Sequence, residues 1–113
     1  METKVIEGVL RIAPGEPLSH VRGMVRLEDV SEADGLASTR AETPVTVEDG
    51  GAAAGFRLTV EGPVDPRRRY VLRAELSGED AHGAARSLGS TESYPWRPDA
   101  PAAPLSIDVR RWN

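Results

Sequence analysis

Cysteine is absent from this chain of 113 residues, which excludes disulfides, cysteine-ligated zinc, thiolate catalysis and a lipidated N-terminal cysteine. Lysine is almost absent as well: of 14 basic residues only Lys4 is a lysine. Together with abundant alanine, that skew fits a high-GC coding bias, so the arginines are not to be read one by one as phosphate contacts. Long apolar runs are also missing. None approaches the roughly 20 residues needed to cross a bilayer, and the opening M-E-T-K-V-I-E-G carries two glutamates and no stretch resembling a signal peptide. The expectation for the sequence as given is a cytoplasmic chain, with an envelope location only where a leader has been trimmed. Positive charge is in deficit, at a net −4, which argues against nucleic acid as the main partner.

Catalytic signatures are missing too. No serine sits in a G-x-S-x-G elbow, and neither G-x-x-x-x-G-K-[ST] nor a G-x-G-x-x-G between strand and helix occurs. The glycine-rich E-D-G-G-A-A-A-G stretch is acidic, which is wrong for cradling phosphate, and reads as a flexible hairpin loop. No cofactor is expected.

What the chain does have is punctuation and alternation. Its 11 glycines and 9 prolines cut it into pieces too short for stable helices. Within the pieces, apolar residues recur with a period of two. Ile6, Gly8, Leu10 and Ile12 share one side of the first. Val21, Gly23, Val25 and Leu27 share one side of the second, with Arg22, Met24, Arg26 and Glu28 on the other. Leu36–Glu42 is a weaker strand candidate, followed by Pro44–Val47. Phe56, Leu58 and Val60 point inward from the next strand, and Tyr70, Leu72, Ala74 and Leu76 from the one after. Arg86–Ser90 reads as a short strand, although a helix over Ala81–Leu88 competes with it. The stretch from Tyr94 to Pro104 is loop or edge. Leu105, Ile107 and Val109 close the core. One buried and one wet face per strand is the mark of an antiparallel sheet. The expected fold is therefore all-β, a single antiparallel β-sandwich of about seven short strands, immunoglobulin- or transthyretin-like, forming one domain over residues 1–113.

The order of these pieces resembles the YbaY and YscW family, the latter a type III secretion lipoprotein chaperone or pilotin. The residues carrying the resemblance are V-R-L-E-D-V-S-E-A-D, then G-F-R-L-T-V-E, then R-Y-V-L-R-A-E-L after a D-P turn, and a short segment before S-Y-P-W. The D-V-S-x-A-D corner is the most specific of them. The resemblance implies a small β-sandwich without catalytic residues that acts by binding. Family pilotins bind a secretin subunit and help bring it to the outer membrane, a role that depends on a lipid-modified cysteine this sequence lacks.

Four features are candidates for chemistry. Glu28, Asp29, Glu32 and Asp34 crowd seven residues at the end of the second strand. Asp29, Glu32 and Asp34 are weak calcium candidates, but their spacing does not match an EF-hand. Asp29 is expected instead to accept backbone N–H groups of the turn, an arrangement Ser31 and Asp34 could extend. His82, beside Glu79 and Asp80, offers too few ligands for zinc, and His20 stands alone at a strand start. Arg67, Arg68 and Arg69 read either as a solvated turn partly neutralised by Asp65 or as an anion-binding patch. Tyr94 and Trp96, flanking Pro95, read either as a plug over the core or as an exposed contact. The function expected is a non-enzymatic binding or assembly module that contacts another protein through a sheet edge or this aromatic loop. The alternative is a small-molecule- or metal-binding accessory domain, or a minor enzyme with a cleft between the sheets. Membrane insertion is not expected, and weak self-association stays open.

Overall fold

The structure is a computed structural model that describes residues 3–15, 17–31, 37–90, 92, 94–99 and 105–112. Eight strands follow in chain order: β1 (Thr3–Ile12), β2 (Ser19–Asp29), β3 (Ser38–Val47), β4 (Ala53–Glu61), β5 (Tyr70–Glu79), β6 (Ala85–Ser90), β7 (Tyr94–Trp96) and β8 (Leu105–Arg111). No helix occurs among the described residues, and the Ala81–Leu88 segment is loop followed by strand. Leu36 lies outside the described residues, and the two strand candidates expected around it are one strand, β3. Pro44 falls within β3, where the end of a sheet tolerates a missing N–H.

The strands form one sheet in the order β3-β2-β5-β6-β8-β1-β4, with β7 also paired to β5. This corrects the expected antiparallel sandwich in two ways. First, β8 runs parallel to β1, pairing Leu105 with Gly8 and Val109 with Ile12, so the sheet is mixed. Second, β8 also pairs with β6 through Val109–Arg111, so one strand ties together what would otherwise be two layers. The sheet curls until its end strands, β3 and β4, pack side by side without a ladder between them. Across this seam the Arg40 guanidinium donates to the Pro63 carbonyl at 3.1 Å. The result is close to a barrel. The E-D-G-G-A-A-A-G stretch therefore joins the two ends of the sheet, and β4 pairs with β1 rather than completing a hairpin with β3.

The alternation places the core as expected. Leu10, Val25, Leu27, Leu58, Val60, Leu72, Leu88, Ile107 and Val109 are fully buried, and Ile6, Val21, Phe56, Tyr70 and Leu76 nearly so. Each such side chain contributes about 1.5–3 kcal/mol relative to exposure. Tight curvature needs small residues at the crossings. A Cβ on Gly23 would stand 1.9 Å from the Glu75 carbonyl oxygen, so only glycine lets β2 approach β5 there. On the outside of the same strands, Arg26 bridges Glu42 and Glu75 at 3.2 and 3.1 Å, and Arg73 pairs with Glu28 at 2.8 Å.

Strand direction gives the barrel two distinct ends. At one end β2 finishes at Asp29, β5 begins at Tyr70 and β7 finishes at Trp96; Asp29 and Trp96 are the register partners of Tyr70. At the other end lie the β1–β2, β3–β4 and β5–β6 connections and the end of β8.

Candidate functional site

At the first end, the acidic corner and the arginine run form a single unit. Asp29 ends β2 with its side chain only 8% exposed. Its Oδ1 accepts the Ser31 N–H at 2.9 Å, the expected Asx-type turn, and its Oδ2 pairs with Arg68 Nε. Ser31 Oγ in turn accepts the Arg69 N–H at 2.7 Å, and the Val30 N–H donates to the Arg69 carbonyl at 2.8 Å. Three of these contacts stitch together two loops far apart in sequence, and the Asp29–Ser31 bond shapes the first of them. Burial opposes the charge on Asp29, but the hydrogen bonds from Arg68 and Ser31 outweigh it and pull the carboxyl down to about 2. Both Asp29 oxygens are engaged in this junction. Glu32 and Asp34 lie outside the described residues.

The arginines divide. Arg67 is 89% exposed and folds back onto Asp65 at 3.2 Å, the partly neutralised turn that was expected. Its guanidinium holds the Asp65 carboxyl below the usual range. Arg68 departs from the solvated reading because it is locked to Asp29. Arg69 is exposed, and its backbone N–H and carbonyl make its junction contacts.

Directly after this turn, Tyr70 enters the core and its hydroxyl accepts the Asp65 N–H at 3.1 Å. Its ring meets Trp96 edge to face, with centroids 5.8 Å apart and planes at 68°. Trp96 is half-buried against the core and Pro95 is exposed. Tyr94 is half-buried as well, and its hydroxyl accepts the N–H of Asp108 on β8 at 2.9 Å. The gap between β6 and β7 is bridged by Ser90 Oγ, which accepts the Ala74 N–H at 3.1 Å. The segment is thus both lid and surface. Tyr94 is tied into the fold, whereas Pro95 faces outward and Trp96 is partly exposed, at the end of β5 into which the Arg67–Arg69 turn leads.

The histidine candidates do not converge. His20 has a left-handed backbone, φ 54°, at the bulge where β2 meets β5, and its Nδ1 lies 3.0 Å from Glu79. Asp80 is buried, accepts the His82 and Ala84 N–H groups at 2.9 Å each, and pairs with Arg86 at 2.8 Å. Those two backbone donors hold its carboxyl below the ordinary range. It organises the β5–β6 loop and leaves His82 to solvent. Among the described residues, no three acidic or imidazole groups gather as a metal site.

Two residues at the opposite end escaped the sequence reading. Trp112 is 57% exposed and lies across Gly89, where a Cβ would stand 2.1 Å from the indole. Arg111 continues the inward phase of Leu105, Ile107 and Val109, and that phase was visible in the sequence.

The comparisons point the same way. The model of the type III secretion system lipoprotein chaperone family (YscW) matches residues 3–86. Among curated proteins none matches. A solved structure, an alternative pilotin from the type II secretion system of Vibrio cholerae, superposes with a TM-score of 0.78 at 17% identity, covering 99% of each chain. At that identity the likeness speaks for the fold. A lipoprotein family gives the cytoplasmic expectation no support, and no helix among the described residues is long and apolar enough to cross a membrane. With most of its length under the family model, this chain belongs to the YscW type III secretion lipoprotein chaperone family.

Proposed function

We propose that this chain acts without catalysis, as a chaperone-like module that holds a segment of another protein at the Asp29–Tyr70–Trp96 end of the barrel. The observation carrying this reading is the convergence of Trp96, Pro95 and the Arg67–Arg69 turn at one end of β5. A half-buried indole offers an apolar anchor whose position is already fixed by Tyr70. Exposed guanidiniums beside it suit a partner segment that carries acidic groups around an apolar side chain. The partner this reading takes is a secretion-system subunit of the secretin kind, the class the pilotin resemblance implies. The polar clusters that could have suggested a reaction, at Asp29 and Asp80, are spent on holding loops.

A photo-crosslinking residue in place of Pro95 or Arg67, expressed beside the secretin in the native host, should yield an adduct with that subunit. The same residue in place of Glu48, at the far end, should not. Crosslinking from position 48 alone, or from none of the three, would sink the assignment.

A further inference from the structure

At the far end of the barrel, β8 finishes with an arginine where the alternation calls for an apolar side chain. Arg111 is the register partner of the buried Leu88 and points inward. It borders a recess of about 110 Å³ whose walls include Ile12, Pro14, Leu18, Val21 and Ala52. The guanidinium carbon and one Nη lie 3.4 Å from where a Cβ on Gly15 would be, so the absence of a side chain at Gly15 leaves room beside the charge. Arg111 Nε is buried and, among the described residues, has no hydrogen-bond partner.

That combination is costly to leave as it stands. Guanidinium has only donors, and a buried N–H without an acceptor loses its hydration for nothing. Elsewhere in this protein inward charge is answered: Asp29 has Arg68 and Ser31, and Asp80 has Arg86 and two backbone amides. Arg111 alone among these has its acceptor missing, and it faces a small, mostly aliphatic recess rather than open solvent.

We propose that this recess is a binding site for a carboxylate carried on a small aliphatic group. An edge of the guanidinium offers two parallel N–H donors that match the two oxygens of a carboxylate as a planar fork. The aliphatic walls favour a branched hydrocarbon behind that head group. The volume is smaller than the roughly 150 Å³ that accepts a benzene ring, which limits the tail to about the size of a valine or leucine side chain. Phosphate fits poorly, because its several charged oxygens would face Pro14, Leu18 and Val21 with a single cation to meet them. The carboxylate can belong to a free branched short-chain acid or to the C-terminal residue of a peptide. The site is separate from the Trp96 end and stands whether or not a partner binds there.

The test is titration of isotopically labelled protein with isovalerate, following the Arg111 Nε–H resonance and the methyls of Ile12, Leu18 and Val21. Saturable shifts at low millimolar concentration are expected, the range open to so small a ligand. Isovaleramide, which keeps the shape and loses the charge, should bind at least tenfold more weakly. So should isovalerate with Arg111→Gln, a variant whose circular dichroism and melting curve are checked first. A tripeptide ending in leucine with a free carboxylate, set against its amide, separates the two sources: tighter binding than isovalerate assigns the site to a chain terminus, and weaker binding to a free acid. Equal shifts with isovaleramide, or shifts that persist in Arg111→Gln, would overturn the proposal.

Discussion

Asp29 and Arg68, 39 residues apart in the chain, form a buried-to-exposed ion pair that closes the end of the barrel. Asp29 is the less exposed partner, and its second oxygen takes the Ser31 amide, so both oxygens are engaged within the junction. Of the four carboxylates that crowd the end of β2, Asp29 serves the turn.

This pair sets the acid response of the fold. The Asp29 carboxyl lies at about 2 in the folded chain against 3.8 for the ordinary group. A lowered folded value stabilises at pH above the unfolded value, and that contribution is lost as pH falls through the folded one. The shift corresponds to about 2 kcal/mol, present above pH ~4 and gone near pH ~2. Asp29→Asn should therefore be less stable than the parent by about that amount in neutral urea unfolding. The two stability curves should converge at low pH. Parallel curves across the whole range would show that the pair contributes nothing specific.

Calcium gives a second check on the same corner. With both Asp29 oxygens engaged by Arg68 and Ser31, millimolar calcium should leave the melting temperature of metal-free protein unchanged. A rise of several degrees that disappears in Asp34→Ala would instead make the corner an ion site.

The core was legible because a period of two needs no knowledge of strand order. Ile6, Leu10, Val25, Leu27, Phe56, Leu58, Val60, Tyr70, Leu72 and Leu76 all lie inside. Sheet connectivity was not legible, because alternation tells which face a residue takes but not which strand lies beside it or in which direction. Nothing in L-S-I-D-V-R-R says that β8 runs parallel to β1 and also pairs with β6. Long-range pairings such as Asp29 with Arg68 were invisible for the same reason, since each loop looks solvated by itself. Arg111 is a different kind of miss: its phase with Leu105, Ile107 and Val109 was there to be counted, and a charge in an inward phase is informative.

Phe56 tests the packing directly. Its ring fills the space that Gly8 leaves open, within 2.7 Å of where a Cβ on Gly8 would stand. Phe56→Ala should cost about 3–5 kcal/mol in urea unfolding, as large truncations in closed cores do. Gly23→Ala should be harsher still, because its new methyl group would meet the Glu75 backbone and not a side chain that can swing away. An unchanged melting temperature in either variant would mean that the register of β1 on β4, or of β2 on β5, is wrong.

Trp96 and Arg69 together decide what the first end of the barrel does. Trp96 packs on the core and meets Tyr70 edge to face, so Trp96→Ala removes an intramolecular contact along with any intermolecular one. The ring pair alone accounts for about 0.5–1.5 kcal/mol beyond the area lost, so a lower melting temperature is expected. Arg69 is exposed and holds its neighbours through the backbone, which an alanine retains. Arg69→Ala should therefore leave the melting temperature within about a degree of the parent, a surface change of under ~0.5 kcal/mol. Binding separates the roles. Measured well below the melting point of the weaker variant, capture of the proposed secretin-type partner should fall about tenfold or more in Trp96→Ala, as at an aromatic anchor. In Arg69→Ala it should fall by a smaller factor that shrinks as salt rises, as for a guanidinium at the rim of an interface. Loss of stability in Trp96→Ala with capture intact would make the indole a lid over the core and nothing more. If Arg69→Ala were then equally silent, the contact surface would have to lie away from this end of the barrel.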